Sequence, residues 1–247
     1  MNKYNWLIPN SKNYLIWGFS LLMICGLYLF NWKAETILLT YFFETIAIGF
    51  IHIFKLLATF LYSTSSTDRK GKHPASSFFY IPFFAVHYFF FIFIQSVFVF
   101  AFFTSIIPGL KDSFDVWGNY KYLLGIPEYL MAFMSIVMVN VAFAFKNFFL
   151  PKKYETKQVE SLFTQPYLRI FIQQFVTILT GFTFLFLNAD IISALILILI
   201  RLIIDLALNY ASYNLDFRDK LIKVMNNSNN PRDMDKARKD LNIFLDD

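Results

Sequence analysis

The stretch that most constrains this chain is Thr40 to Leu57, TYFFETIAIGFIHIFKLL, an apolar run that carries Glu44, His52 and Lys55 inside it. A helix crossing the hydrocarbon core of a bilayer needs about 20 predominantly apolar residues, and this run is of that order. An ionisable group at mid-membrane depth costs about 2.5–3.5 kcal/mol on insertion scales, so such groups turn toward protein, a partner or water. Glu44 and Lys55 lie about three helical turns apart and share one stripe, with His52 to its side. A chain built around this stretch is a membrane protein with a polar interior.

The remaining apolar residues fall into runs of similar length. The reading is all-α, a polytopic transmembrane helix bundle of about six spans: Tyr14–Phe30, Thr36–Leu61, Phe78–Ile107, Tyr122–Phe149, Leu168–Leu187 and Ile191–Tyr213. Residues 1–213 form this domain, and 214–247 a short, charged helical tail on the cytoplasmic side. Spans three and four exceed what a bilayer requires, which predicts tilt or an interfacial turn at their ends. Pro82 and Pro127 are expected in the opening turns of their spans, where a missing N–H costs least, and Pro108 and Pro151 act as stops. Tyr14–Phe30 is followed by no small-residue cleavage pattern, so it is read as a retained first span.

The net charge of +5 does not by itself point to nucleic acid, because the basic residues sort by loop. One side has Lys3 and Lys12, then Arg69, Lys70 and Lys72, then Lys146, Lys152, Lys153, Lys157 and Arg169, then the tail from Arg218 to Lys239. The other side has only Lys33, Lys111 and Lys121. The positive-inside rule then puts both termini in the cytoplasm. The expected partners are the bilayer, anionic lipids at the cytoplasmic face and a further copy of the chain, with no nucleic acid. The lone cysteine, Cys25, allows no internal disulfide. No G-x-x-x-x-G-K-[ST], G-x-G-x-x-G, H-E-x-x-H or G-x-S-x-G occurs, and no cofactor or metal is indicated by motif.

Four spans carry polar residues that a helix facing lipid on all sides would lack. Span two has Glu44, His52 and Lys55, and span three has His87 and Gln95 with Tyr88 beside the histidine. Span five has Arg169, Gln173, Thr177 and Thr180 on one helical face, and span six has Arg201, Asp205 and Asn209 at i, i+4, i+8. Together these are the expected buried polar network, centred on Glu44, His87, Arg201 and Asp205. Lys55 and Arg169, near helix ends, are equally readable as side chains that reach the headgroups.

Three blocks resemble a prokaryotic membrane-protein family known only as domain of unknown function six-four-nine-eight: YFFETIAIGFIHIFK (Tyr41–Lys55), FFAVHYFFFIFIQSVF (Phe83–Phe98) and RLIIDLALN (Arg201–Asn209), with a weaker match at PYLR. The family pattern has an aromatic-x-Glu-Asn-x-x-x-Gly block, a His-Tyr followed by a second His, and a closing Lys-x-x-x-Asp-x-x-x-His. The resemblance implies Glu44, Gly49, Lys55, His87, Tyr88, Arg169, Arg201 and Asp205 as the matching residues. Gln95 and Asn209 stand where the pattern has histidine, and Arg201 where it has lysine. The family brings no function with it.

Three functions compete. The leading one is a helical membrane scaffold or interaction protein whose buried polar residues fix helix register. The second is a proton- or ion-coupled transporter or channel using Glu44, His87, Arg201 and Asp205. The third is a membrane-embedded hydrolase, metal-dependent or not, with Glu44, His87 and Asp205 as catalytic candidates. FFAVH echoes the Phe-x-x-x-His element of CAAX-type membrane proteases, but the paired glutamates of those enzymes are missing, since Thr45 follows Glu44.

Overall fold

A computed structural model describes residues 6–64, 75–167, 171, 175, 190–225 and 238, and every regular element among them is helical. In chain order these are α1 (Tyr14–Leu29), α2 (Ala34–Tyr62), α3 (Ala75–Phe103), α4 (Val116–Leu124), α5 (Pro127–Ala144), α6 (Val159–Phe163), α7 (Asp190–Tyr213) and α8 (Leu215–Met225). A π-turn, Phe145–Phe149, extends α5, and a 3₁₀ turn covers Lys153–Glu155. Four stretches are long and apolar enough to cross a membrane: Ala34–Tyr62, Ser77–Phe103, Pro127–Phe149 and Ile191–Tyr213. The apolar helix α1 is shorter, at 16 residues. The fold is therefore a multi-pass helical bundle; the expected fifth span, Leu168–Leu187, lies almost wholly outside the described residues.

Two span expectations change in detail. Tyr122 belongs to the short α4, which ends at Gly125, and the membrane-length helix starts afresh at Pro127. The proline is the reason: it disfavours helical backbone at Ile126, which is extended (ψ 124°), and then occupies the first turn of α5. Pro82 is interior to α3, because that helix begins at Ala75 and not at Phe78. Its ring removes one backbone hydrogen bond, to the carbonyl of Phe78, and favours a bend there.

The chain parts into two compact units, Trp32–Val159 and the two chain ends, Met1–Asn31 with Glu160–Asp247. In the first unit α2 is the most enclosed of the four membrane-length helices. Every residue from Ala34 to Thr45 is buried, so the helix is surrounded over its first three turns. It packs on α5 and on α3. The pairs Phe60–Phe78, His52–Phe84 and Thr45–Tyr88 show that α2 and α3 run antiparallel. The other side of α3 is aromatic and exposed at Phe79, Phe83, Phe90 and Phe98, as a surface solvated by lipid tails requires.

In the second unit α1 packs on α7. Trp6 stacks on Tyr210 at 5.8 Å and lies 5.9 Å from Phe217 of α8, while the Lys12 ammonium sits 3.8 Å above the Tyr213 ring. Arg218 donates to the carbonyls of Ala211 and Ser212, which belong to the last turn of α7 and have no partner within the helix. The start of the tail is thus folded back onto α7, and Arg238 forms a two-pronged ion pair with Asp219 of α8 at 2.9 and 2.8 Å.

Candidate functional site

Within the unit Trp32–Val159, polar side chains are joined across helix interfaces. Glu44 is 3% exposed, and Asn140 of α5 donates to its Oε1 from 3.3 Å. The same Asn140 amide also donates to the Ile136 carbonyl at 3.0 Å, which fixes its orientation along α5. One helix over, the Tyr88 hydroxyl donates to the Thr45 carbonyl at 2.6 Å. Further along α3, Ser96 and Tyr120 of α4 share a hydroxyl–hydroxyl hydrogen bond of 2.6 Å. Burial pushes the Tyr120 phenol up to about 12, with the Ser96 hydrogen bond partly opposing it.

The N-terminus of α2 is closed by a side chain from α5. Glu128 accepts from the Lys33 backbone N–H at 2.9 Å and from the Thr36 hydroxyl. Helix N-termini expose unsatisfied N–H groups and partial positive charge, so a carboxylate here both caps α2 and ties it to α5. Lys33 adds an ion pair to Glu35 at 3.8 Å.

At the opposite end of α2, His52 packs against Phe84 with ring centroids 5.0 Å apart. Lys55 is 5% exposed, its ammonium 5.2 Å from the centre of the Phe148 ring in the π-turn. The π-turn adds a residue to the helical repeat and delivers Phe148, fully buried, to this position. Ser63 and Thr64, just beyond α2, bond the carbonyls of Lys157 and Glu155.

The residues singled out from the sequence are distributed as follows. Glu44, His52, Lys55 and Gln95 are buried in the unit Trp32–Val159. His87 is not: it stands on the exposed side of α3, stacked on Phe83 at 5.7 Å, while Glu44 is turned toward α5. The physical reason is angular. Tyr88 points into the α2 interface, and its neighbour His87 lies about 100° around the helix. Arg201, Asp205 and Asn209 belong to the other unit. There Arg201 is buried and its Nε donates to Asp205 at 2.9 Å, and Asn209 donates to the Lys12 carbonyl at 3.5 Å. Arg169, Gln173, Thr177 and Thr180 lie outside the described residues.

Among the described residues, no three His, Cys, Asp or Glu side chains come together as a metal-binding group. The sequence reading missed Asn140 and Glu128, which hydrogen-bond from α5 to α2 and to the residue that precedes it. A signal for Asn140 existed: it is the lone amide in the apolar run from Leu130 to Ala144.

A family model described as Family of unknown function (DUF6498) matches residues 6–227. No curated protein and no solved structure matches the chain.

Proposed function

The chain belongs to DUF6498, a family of unknown function, and from that premise we propose that it is a membrane scaffold whose buried polar side chains fix helix register. The observation that carries this reading is the pairing of Glu44 with Asn140. The most deeply buried carboxylate of α2 accepts a hydrogen bond from an amide of the helix that α2 packs against most closely. The other contacts of the unit follow the same pattern, each joining two elements locally: Tyr88 to α2, Ser96 to α4 and Glu128 to the start of α2. Polar contacts between membrane helices of this kind contribute about 0.6–2 kcal/mol each, enough in sum to select one packing among several.

On this reading both ends of the chain face the cytoplasm of a prokaryotic cell, and the basic loops and tail engage anionic lipid headgroups. One observation favours a second reading, proton- or ion-coupled transport. Glu44, Lys55 and Arg201, each ionisable and nine-tenths or more buried, all lie in membrane-length helices.

Proton flux into liposomes separates the two. Reconstituted wild-type protein and Glu44→Gln are compared under an imposed pH gradient, with folding checked by circular dichroism. The scaffold reading expects the same flux as protein-free liposomes from both. Wild-type flux above that baseline, lost in a folded Glu44→Gln, would replace it with transport.

A further inference from the structure

Gln95 is 6% exposed, and neither its amide oxygen nor its amide nitrogen has a hydrogen-bond partner among the described residues. Its neighbours along α3 differ: Tyr88 reaches the Thr45 carbonyl, and Ser96 reaches Tyr120. An amide buried with both ends unsatisfied is a costly arrangement, and buried polar groups are as a rule paired, with protein or with bound water. Gln95 sits two turns beyond Tyr88 on the face of α3 that meets α2. On α2, Tyr41 lies one turn before Thr45 on the face that meets α3.

The antiparallel register places these two side chains at the same depth. From these positions we infer that Gln95 anchors a buried binding site for a small neutral molecule that both donates and accepts hydrogen bonds, water in the first instance. The amide nitrogen supplies the donor and the amide oxygen the acceptor, and the Tyr41 hydroxyl stands at hand as a further contact. Such waters are integral to protein interiors and make about three hydrogen bonds each. The inference does not depend on the scaffold reading, since a hydrated core can serve packing or conduction alike.

Radiolytic hydroxyl-radical footprinting with mass spectrometry tests it on the full-length protein in detergent. Radicals formed from a bound water oxidise the side chains beside it, whereas a side chain 1% exposed, as Tyr41 is, stays shielded from radicals made in bulk solvent. Wild-type Tyr41 is expected to oxidise several-fold faster than Phe42, which is equally buried. Gln95→Met, which keeps the length of the side chain and drops the amide, is expected to bring Tyr41 down to the Phe42 level. Wild-type Tyr41 as protected as Phe42 would overturn the inference whether or not the variant folds. So would equal labelling of Tyr41 in wild type and in a folded Gln95→Met.

Discussion

The ring of Tyr88 fills the space that a side chain on Gly49 would need: a Cβ built on Gly49 would lie 2.2 Å from Tyr88 Cε1. The same ring carries its hydroxyl to the Thr45 carbonyl one turn earlier on α2. A missing side chain on one helix and an aromatic hook on the other thus set the spacing and the register of α2 against α3. Gly49→Ala is expected to destabilise the protein by about 1–3 kcal/mol through overpacking. Tyr88→Phe, which keeps the ring and loses the hydrogen bond, should cost about 0.5–1.5 kcal/mol. Unfolding in mixed micelles by titrated SDS measures both. If Gly49→Ala proves the milder change, the close approach does not set the spacing.

Glu128 acts as a cap supplied from another helix. Glu128→Ala leaves the Lys33 N–H and the Thr36 hydroxyl without this acceptor and should cost about 1–2 kcal/mol. Glu128→Gln keeps an acceptor oxygen without the charge and should lose less. The same micelle titration reads both variants, and equal losses would show that charge rather than the hydrogen bonds matters here.

Arg201 and Asp205 form a pair one turn apart on α7, the arginine side chain 4% exposed and the aspartate 17%. Removing one partner of a buried ion pair costs about 3–5 kcal/mol, because the other charge stays behind. Asp205→Leu is therefore expected to be severe and Arg201→Leu/Asp205→Leu milder than either single change. Expression level and thermal stability in detergent report the order, and a double variant worse than both singles would contradict the pairing.

Tyr120 gives a pH dependence with a defined sign. The unfolded phenol ionises near 10 and the folded one near 12, so below 10 the group is neutral in both states and contributes no slope. Between about 10 and 12 the unfolded chain loses the proton first, which favours unfolding, so stability falls as pH rises. Tyr120→Phe should flatten this part of the stability curve. Tyrosinate absorbance near 295 nm of wild type against Tyr120→Phe checks the assignment: a difference titrating near 10 would rule it out.

Much of the architecture was legible because its causes are local. Apolar runs of bilayer length marked α2, α3, α5 and α7, but put the start of α5 at Tyr122 and not at Pro127. Separating Tyr122 from that span required knowing that Ile126 goes extended, which a run of apolar letters does not reveal. Of the polar residues, the sequence drew attention to the ionisable ones, since their burial is costly. It could not show which way each faces: His87 and Tyr88 are adjacent letters, yet one is exposed and the other enclosed. Asn140 and Glu128 went unread because their importance lies in the partner each meets more than 90 positions away.

The central claim is that Glu44 serves helix packing through Asn140. A double-mutant cycle tests it directly, with Glu44→Leu, Asn140→Leu and the double variant compared with wild type by SDS-titrated unfolding. The account predicts a coupling of about 0.6–2 kcal/mol, the range for polar contacts between membrane helices. Strictly additive effects, with no coupling beyond about 0.3–0.5 kcal/mol, would contradict it.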